Sequence, residues 1–476
     1  MSAELITPDI CVIGAGAGGL TVAAAAAAFG VPVVLIEQGK MGGECLNVGC
    51  VPSKALIAAA NRAHSVSGFD AFGLATDAPQ VDFARVHEHV QRVIAAIAPN
   101  DSKERFTGLG VRVIAGAARF KDKETVAVGD VIEIKARRFV IATGSSPAIP
   151  SIPGLDTVPF LTNETVFDLK ICPQHLIVIG AGAMGLELAQ AFRRLGAAVT
   201  VLEAGKPLAR EDEECVRIVL DQLAEEGIEV RQGVSIAHVE ADASGVAVVL
   251  AAEPAHERVT GSHLLIATGR RARFDSLNLD AAGIAHTPKG IVVNRGLRTS
   301  NRRVYAIGDV TGGPQFTHAA NYHASLVIKN ALFRLPVGMD QSLIPRVTFT
   351  DPELAHVGLA EGEARGAGRE IRILRWPFSE NDRAQAEHRT RGHIKVMTDK
   401  RGRILGATIV GPAAGELITT WALACTNRLN IRAVVGTVVP YPTFAEIGKR
   451  VAITYFMPYL TSPFVRRIIG WLRRFG

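Results

Sequence analysis

The chain is poor in several features that would assign it at once. Six cysteines in 476 residues are far too few for a disulfide-stapled scaffold. Charge of one sign barely accumulates: 52 Lys and Arg against 46 Asp and Glu leave +6. That small excess is spread along the chain and gives no electrostatic footprint for nucleic acid. No triplet period organises the 47 glycines, so a collagen-like chain is excluded. The N-terminus carries Glu4 and Asp9 where a secretory signal would be basic. The longest apolar stretch near it, Leu20 to Phe29, is about half of the roughly 20 residues a membrane span needs. What remains is a globular composition, 48% hydrophobic and 21% charged, long enough for about three domains. The expected location is cytoplasmic.

What the chain does have is an internal repeat. An apolar run from Asp9 ends in Gly14, Gly16 and Gly19; an Ala-rich stretch, Gly30 and a second apolar run, Val33 to Ile36, follow and close on Glu37. Leu176 to Gly180, Gly182, Gly185, Gly196 and Val199 to Leu202, closed by Glu203, repeat the pattern. First glycine to post-helix glycine is 16 residues in both copies, and first glycine to acid is 23. Each copy reads strand, tight turn, helix, strand. The first glycine makes the turn, the second lets the backbone approach a pyrophosphate, and the third lets helix and strand pack. The helix N-terminus offers free N–H groups to phosphate, and the acid accepts from a ribose diol. A glycine turn alone is a weak signal. Two in register with their acids predict two dinucleotide sites, and hence a flavin–nicotinamide pair exchanging a hydride.

Two further segments fit that reading. Val140 to Gly144 and Leu265 to Gly269 are apolar strands ending in Ala-Thr-Gly, which makes Thr143, Gly144 and Gly269 candidate cofactor contacts. Val304 to Asp309 is a strand that ends by presenting Gly308 and an acid, Asp309, suited to the hydroxyls of a ribityl chain.

Directly after the first unit comes Gly42-Gly43-Glu44-Cys45-Leu46-Asn47-Val48-Gly49-Cys50-Val51-Pro52-Ser53-Lys54. Cys45 and Cys50 resemble half a metal site, but no second Cys or Cys/His pair lies nearby to complete a tetrahedral shell. A structural disulfide is disfavoured in a reducing compartment. A redox-cycling pair is the remaining reading. Gly49 gives the backbone freedom to bring the sulfurs together, and Pro52 marks a helix start that would stabilise a thiolate at Cys50.

The segment Gly42 to Lys54 closely resembles the active-site motif of the class I pyridine nucleotide–disulfide oxidoreductases, the dihydrolipoyl dehydrogenase, glutathione reductase and mercuric reductase relatives. The resemblance covers nearly the whole chain. It implies an α/β fold: two Rossmann-like dinucleotide-binding domains plus a C-terminal α+β dimerisation domain. Residues 1–150 would begin the FAD-binding domain, 151–275 would bind NADH (or NADPH), and 276–345 would return to the FAD domain. Residues 346–476 would form the dimerisation domain of a homodimer that completes each active site from its partner. It further implies Cys50 as the flavin-facing thiolate, Cys45 as the thiol that attacks substrate, and Lys54 near the flavin, paired with Glu187. Gly43 and Asp309 would also touch FAD, and Arg270 the nicotinamide cofactor, unless it is a surface arginine.

The chain departs from the disulfide-reducing members at one place. Their His-Pro-Thr-x-x-Glu motif, whose His shuttles protons, here reads Tyr441-Pro442-Thr443-Phe444-Ala445-Glu446. A phenol titrates near 10 against about 6.5 for imidazole, so Tyr441 is a poor base at neutral pH. Mercuric reductases carry a Tyr there. They also end in a vicinal Cys pair, which is absent here, since no Cys follows Cys425. Two readings of the substrate follow. The first is a small-molecule thiol or disulfide, as for dihydrolipoyl dehydrogenase. The alternative is a metal ion or other electrophile, as for mercuric reductase. A non-catalytic flavin scaffold or sensor is a remote third. Glu203 argues for NADH, because a carboxylate repels a 2′-phosphate.

Other residues read as structural: Cys11, Cys172, Cys215 and Cys425 as packing thiols, His318 and His323 as capping or packing residues. Arg210 to Glu214 reads as a solvated helix start. From Tyr455 to Phe475 aromatics mix with Arg466, Arg467, Arg473 and Arg474. Such a helix suits either an anionic membrane surface or, the preferred reading, the partner subunit.

Overall fold

The computed structural model describes residues 3–75, 77, 79–251 and 257–475. The apolar runs of the repeat are buried on both faces, which is what parallel strands covered by helices require. Five of them make one parallel sheet, in the order Val304–Ala306, Arg138–Ile141, Ile10–Ile13, Val33–Glu37, Arg112–Ala115. The helix Ala17–Ala28 crosses between its central strands and packs against the helix Thr317–Ala331.

A second parallel sheet runs Glu229–Gln232, Ala198–Glu203, His175–Ile179, His263–Ile266. The two sheets share one layout. In each, the strand that ends in the glycine turn lies between the strand that ends in the acid and the strand that ends in Ala-Thr-Gly. The segments just past the two Ala-Thr-Gly turns then pair with each other, Ser145–Pro147 antiparallel to Arg270–Ala272. The ends of both units are therefore tied at one place.

The third sheet is antiparallel, in the order Arg346–Thr348, Glu353–Gly358, Ile404–Gly411, His393–Asp399, Ile371–Pro377. The helix Ala414–Thr426 covers it and buries Trp421 in its core. Two parallel-sheet units and one antiparallel α+β unit constitute the α/β architecture expected. Among the described residues, no helix is long and apolar enough to cross a membrane.

The acidic run Arg210 to Glu214 differs from the solvated helix start expected of it. Asp212 does cap the helix Glu213–Glu225, accepting from the Glu214 and Cys215 amides at 3.1 and 3.4 Å. Yet Glu211 pairs with Arg346 at 2.7 Å, and Asp212 pairs with the Lys395 ammonium at 2.6 Å. Lys395 is 4% exposed and also meets Glu361 at 2.5 Å. A buried ammonium needs anions around it, so this helix start docks the second unit on the antiparallel sheet. Periodicity does not report that role.

Lys395→Met would leave Asp212 without its cation, while Glu361 keeps Arg365, at a cost of about 3 kcal/mol. Thermal melts of the intact protein should show a clearly lowered midpoint for this variant. Lys206→Ala, which removes an exposed pair with Glu213, should show no resolvable change. Equal midpoints for the two variants would contradict the docking role.

Candidate active site

The two glycine turns are built alike to within a few tenths of an ångström. Gly14 and Gly180 both have positive φ, 106° and 109°. A Cβ on either would lie 2.4 Å from a carbonyl oxygen, that of Ala142 or of Ala267. These carbonyls belong to the Ala-Thr-Gly strands, so the matched pairs of the sequence are steric counterparts. A Cβ on Gly19 or Gly185 would lie about 2 Å from the Gly14 or Gly180 carbonyl oxygen. The second glycines are different. Gly182 has nothing within 4 Å of a Cβ position, and Gly16 only the Gly43 Cα at 4.0 Å. The helix N-terminus therefore opens onto space that a Cβ would begin to fill, as a pyrophosphate cradle requires.

The acids match too. Glu37 accepts from the Ala15 and Gly39 amides at 2.6 and 2.7 Å; Glu203 accepts from the Ala181 and Gly205 amides at 2.7 and 2.8 Å. Each carboxylate is thus tied to its own glycine turn. Each of its oxygens keeps further lone-pair capacity for ribose hydroxyls.

The cysteines lie on two short turns of chain. Cys45 is inside the helix Gly43–Asn47, and Cys50 is the first residue of the helix Cys50–His64. Gly49 joins them through close approach: a Cβ there would meet the Glu44 carbonyl oxygen at 3.0 Å and the Cys45 Cα at 3.3 Å. Space around Gly49, as well as backbone freedom, is what lets the two thiols meet. They share one hydrogen bond, and it splits their acidities. Cys50 is pulled down to about 6 by the Cys45 hydrogen bond, the Thr317 hydroxyl and the Lys54 charge, with burial opposing. Cys45 is pushed well above the usual thiol range by the same hydrogen bond and by burial. At neutral pH the pair holds one charge, on Cys50, and one proton, on Cys45.

Thr317 contributes twice to Cys50. Its Oγ1 lies 3.4 Å from the Cys50 sulfur, and it is the first residue of the helix Thr317–Ala331. Cys50 therefore sits at the N-termini of two helices, both favouring a thiolate.

Lys54 and Glu187 are paired at 2.7 Å. Glu187 is 4% exposed, and its other oxygen accepts from the Phe349 amide at 2.9 Å. The Lys54 ammonium lies 4.4 Å from the centre of the Phe349 ring.

Arg270 is neither a surface arginine nor turned toward Glu203. It forms a bidentate pair with Glu44, donates to Ser145 Oγ at 2.9 Å, and lies 3.7 Å from Asp309. The strand pairing with Ser145–Pro147 carries it to the Asp309 side of the junction. Asp309 accepts from Ser145, and burial lifts the Glu44 carboxyl despite Arg270. Gly308 donates its amide to His323 Nδ1 at 3.1 Å, so His323 shapes the turn that presents Asp309. Burial lowers His323 to about 4 and keeps it neutral. Thr143 Oγ1 bonds the Arg273 carbonyl, and Gly144, like Gly269 in the second unit, turns the chain with positive φ. Gly43 packs against Gly16, whose Cα a Gly43 Cβ would meet at 2.7 Å.

Tyr441 and Glu446 are not joined in the way the family motif suggests. The Tyr441 hydroxyl donates to Asp382 at 2.6 Å, while Glu446 holds Arg450 at 3.1 Å. Asp382 raises the phenol further, so Tyr441 keeps its proton and acts as a donor. Tyr441 is 67% exposed, on the antiparallel unit. Thr317, Glu44, Ser145, Phe349 and Asp382 were not singled out from the sequence. Glu44 stands inside the cysteine motif, and Thr317 beside His318, but their partners are between 100 and 270 residues away. Among the described residues, no three His, Cys, Asp or Glu side chains gather as metal ligands.

Residues 8–324 match the family described as pyridine nucleotide-disulphide oxidoreductase, and residues 344–452 match its dimerisation domain. A mercuric reductase of Streptomyces lividans is 36% identical, over 94% of this chain and 96% of its own. Dihydrolipoyl dehydrogenase 3 of Pseudomonas aeruginosa is 35% identical, over 94% and 97%. Among solved structures, LpdA from Mycobacterium tuberculosis superposes with a TM-score of 0.87 at 26% identity, covering 94% of this chain and 99% of that one. The Cu(II) complex of the HOCl-induced flavoprotein disulfide reductase RclA from Escherichia coli gives 0.84 at 28%, with the same coverage.

The Cys50 thiolate should titrate with a midpoint near pH 6 in the reduced protein. Because its pKa is lowered, the charge is present above that pH and lost below it. Thr317→Val should move the midpoint upward. A wild-type midpoint at the free-thiol value of about 8.5 would contradict the two-helix site.

Proposed function

The chain belongs to the pyridine nucleotide-disulphide oxidoreductase family, and from that premise we propose that it uses NADH to reduce a small disulfide at Cys45 and Cys50. It is an FAD-dependent NAD(P)H oxidoreductase, and its dimerisation domain makes it a homodimer. The residues that would hold FAD are Gly14, Gly16, Glu37, Gly43, Thr143, Gly144, Gly308 and Asp309, beside Lys54. Those for the nicotinamide cofactor are Gly180, Gly182, Glu203 and Gly269. Bound there, FAD supplies two-electron transfer between nicotinamide and the cysteine pair.

The observation that carries the proposal is the close approach of Cys45 and Cys50 across Gly49, with the Thr317 hydroxyl 3.4 Å from the Cys50 sulfur; the Cys50 thiol is lowered and the Cys45 thiol raised accordingly. The Cys45 proton crosses the shared hydrogen bond to Cys50, and the Cys45 thiolate so formed attacks one substrate sulfur. The substrate S–S bond breaks, and the departing thiolate takes that proton from Cys50. The Cys50 thiolate then attacks Cys45 Sγ and closes the Cys45–Cys50 disulfide. The second substrate sulfur leaves as a thiolate and takes its proton from water. The pair thus brings the first proton itself. A base at position 441 is not needed in this direction; Tyr441 keeps its proton and would exchange its hydrogen bond to Asp382 to donate to a departing sulfur across the dimer. The reverse reaction needs a base to deprotonate a dithiol, and Tyr441 does not provide one.

The tyrosine at position 441 also suits a second reading, a thiophilic metal ion held by the two cysteine sulfurs as substrate. Binding to both sulfurs releases the Cys45 proton to water, driven by the metal's charge rather than by a protein base.

Glu203 supports NADH over NADPH. The cation that follows it, Lys206, is engaged by Glu213 at 2.7 Å, which weakens it as a phosphate partner. We expect kcat/KM for NADH to exceed that for NADPH by about tenfold, a factor that about 1.4 kcal/mol at the ribose supplies. A tenfold preference for NADPH would refute this.

Steady-state assays with lipoamide, glutathione disulfide and Hg(II) test the acceptor. Disulfide-dependent NADH oxidation faster than Hg(II)-dependent oxidation is the expected result; the reverse order would select the metal ion. Cys45→Ser should lower disulfide turnover by roughly a thousandfold or more while keeping the long-wavelength absorbance of the reduced protein. Cys50→Ser should lose that absorbance. Gly182→Val, whose side chain enters open space, should raise KM for NADH without lowering stability.

A further inference from the structure

The last helix, Pro463–Leu472, is exposed at every residue but the half-buried Val465. At 100° per residue, Arg466, Arg467, Arg473 and Arg474 fall on one arc. Phe464, Ile468, Ile469, Trp471, Leu472 and Phe475 fall on the opposite one. All six are between 41% and 72% exposed. No acid follows Glu446 in the chain, and among the described residues no ion pair engages the four arginines. The polar face is therefore cationic without compensation. The helix is about 15 Å long, too short to span a bilayer and suited to lying along one.

Its surroundings extend the charge. Arg372, on the edge strand Ile371–Pro377, stacks on the Tyr455 ring at 5.0 Å, where the tail leaves the antiparallel unit. Arg369, Arg372 and Lys400 line a shallow depression of about 460 Å³ on that edge, where Glu370 pairs with Lys400. A neighbouring depression is lined by Tyr455 and Pro458. Cations thus run from the sheet edge toward the base of the tail.

Two occupants suit an amphipathic face: a second copy of this chain, or a bilayer. The dimerisation-domain match stops at residue 452, before the helix begins. A protein partner seated on the apolar face would leave the four arginines in water and give their clustering no part. Anionic headgroups engage them along the helix while the acyl boundary takes the apolar face. We propose that Pro463–Leu472, with its flanking arginines, seats the enzyme on anionic membrane surfaces, with the helix axis in the bilayer plane and Phe464, Ile468 and Trp471 turned inward. This assignment stands apart from the choice of electron acceptor, because no group of the cysteine site takes part in it.

The test uses the FAD-loaded full chain and three variants: a truncation after Leu460, an Arg466→Ser/Arg467→Ser/Arg473→Ser/Arg474→Ser chain, and Ile468→Ser/Trp471→Ser. Each is sedimented with vesicles of phosphatidylcholine alone and of phosphatidylcholine with phosphatidylglycerol, at low and high salt. The full chain should sediment with the anionic vesicles and release at high salt. Affinity should fall by roughly fivefold per arginine removed, and both the truncation and the apolar-face variant should stay in the supernatant. Light scattering should still find dimers, and NADH oxidation in solution should be unchanged in every variant. Equal sedimentation of full chain and truncation would overturn the proposal. So would binding to neutral and anionic vesicles alike. Vesicle-independent loss of dimers on truncation would give the helix to the partner subunit instead. If the truncation does not fold, the arginine variant alone decides: unchanged binding to anionic vesicles overturns the assignment.

Discussion

Glu187 holds the three units of this enzyme in one register. One of its oxygens takes the Lys54 ammonium from the helix of the cysteine motif, and the other takes the Phe349 amide from the segment that opens the antiparallel unit. Glu187 itself rides the helix that starts at the second glycine turn. Three pieces of chain far apart in sequence therefore meet on one buried carboxylate. A buried charge that loses one of its partners is costly. That makes the position of Lys54 as rigid as the domain interfaces are. Lys54 is in turn one of the groups that lower the Cys50 thiol. Domain packing and thiol acidity are thus coupled through a single side chain.

The acidity split between the two sulfurs is the second constraint. Burial alone would raise both thiols, as it does at Cys11 and Cys425. The difference at Cys50 comes from the Cys45 thiol, the Thr317 hydroxyl and the Lys54 charge against one sulfur. Directional hydrogen bonds and a nearby ammonium together overcome desolvation here. A tyrosine at position 441 fits the proposed disulfide reduction for the same reason, since in that reaction the pair itself supplies the proton for the first substrate thiol.

How far the sequence reveals this depends on the range of each interaction. The glycine turns and their acids are local: Gly14, Gly19 and Glu37 lie within 24 residues, and their spacing is repeated in the second unit. Local geometry of that kind is legible because each residue answers a steric demand of its neighbours. The cysteine motif is legible for the same reason, down to Gly49. Arg270 is the opposite case. Its position follows from an antiparallel pairing of the two Ala-Thr-Gly exits, which brings it to Glu44, 226 residues away. Nothing in the local pattern specifies such a pairing. The acidic run at Arg210 to Glu214 misleads in a related way, because acids at a helix start look solvated until a buried lysine from another unit is placed against them.

The matched turns also explain why one fold carries both cofactors without confusing them. Both present an open second glycine and a carboxylate locked to its own turn, a frame that suits a ribose diol next to a pyrophosphate. What distinguishes them lies past the Ala-Thr-Gly strands. The first unit is followed by Ser145 and joined by Asp309, His323 and the Glu44–Arg270 pair, all close to the cysteine motif. The second turn opens beside Glu187, which is already committed to Lys54. The repeat supplies two equivalent binding frames, and the chain's non-repeated residues make one of them the neighbour of the sulfurs. The first frame is the one joined directly to the cysteine motif, where Gly43 packs against Gly16 and the Gly42 amide donates to the Ala15 carbonyl.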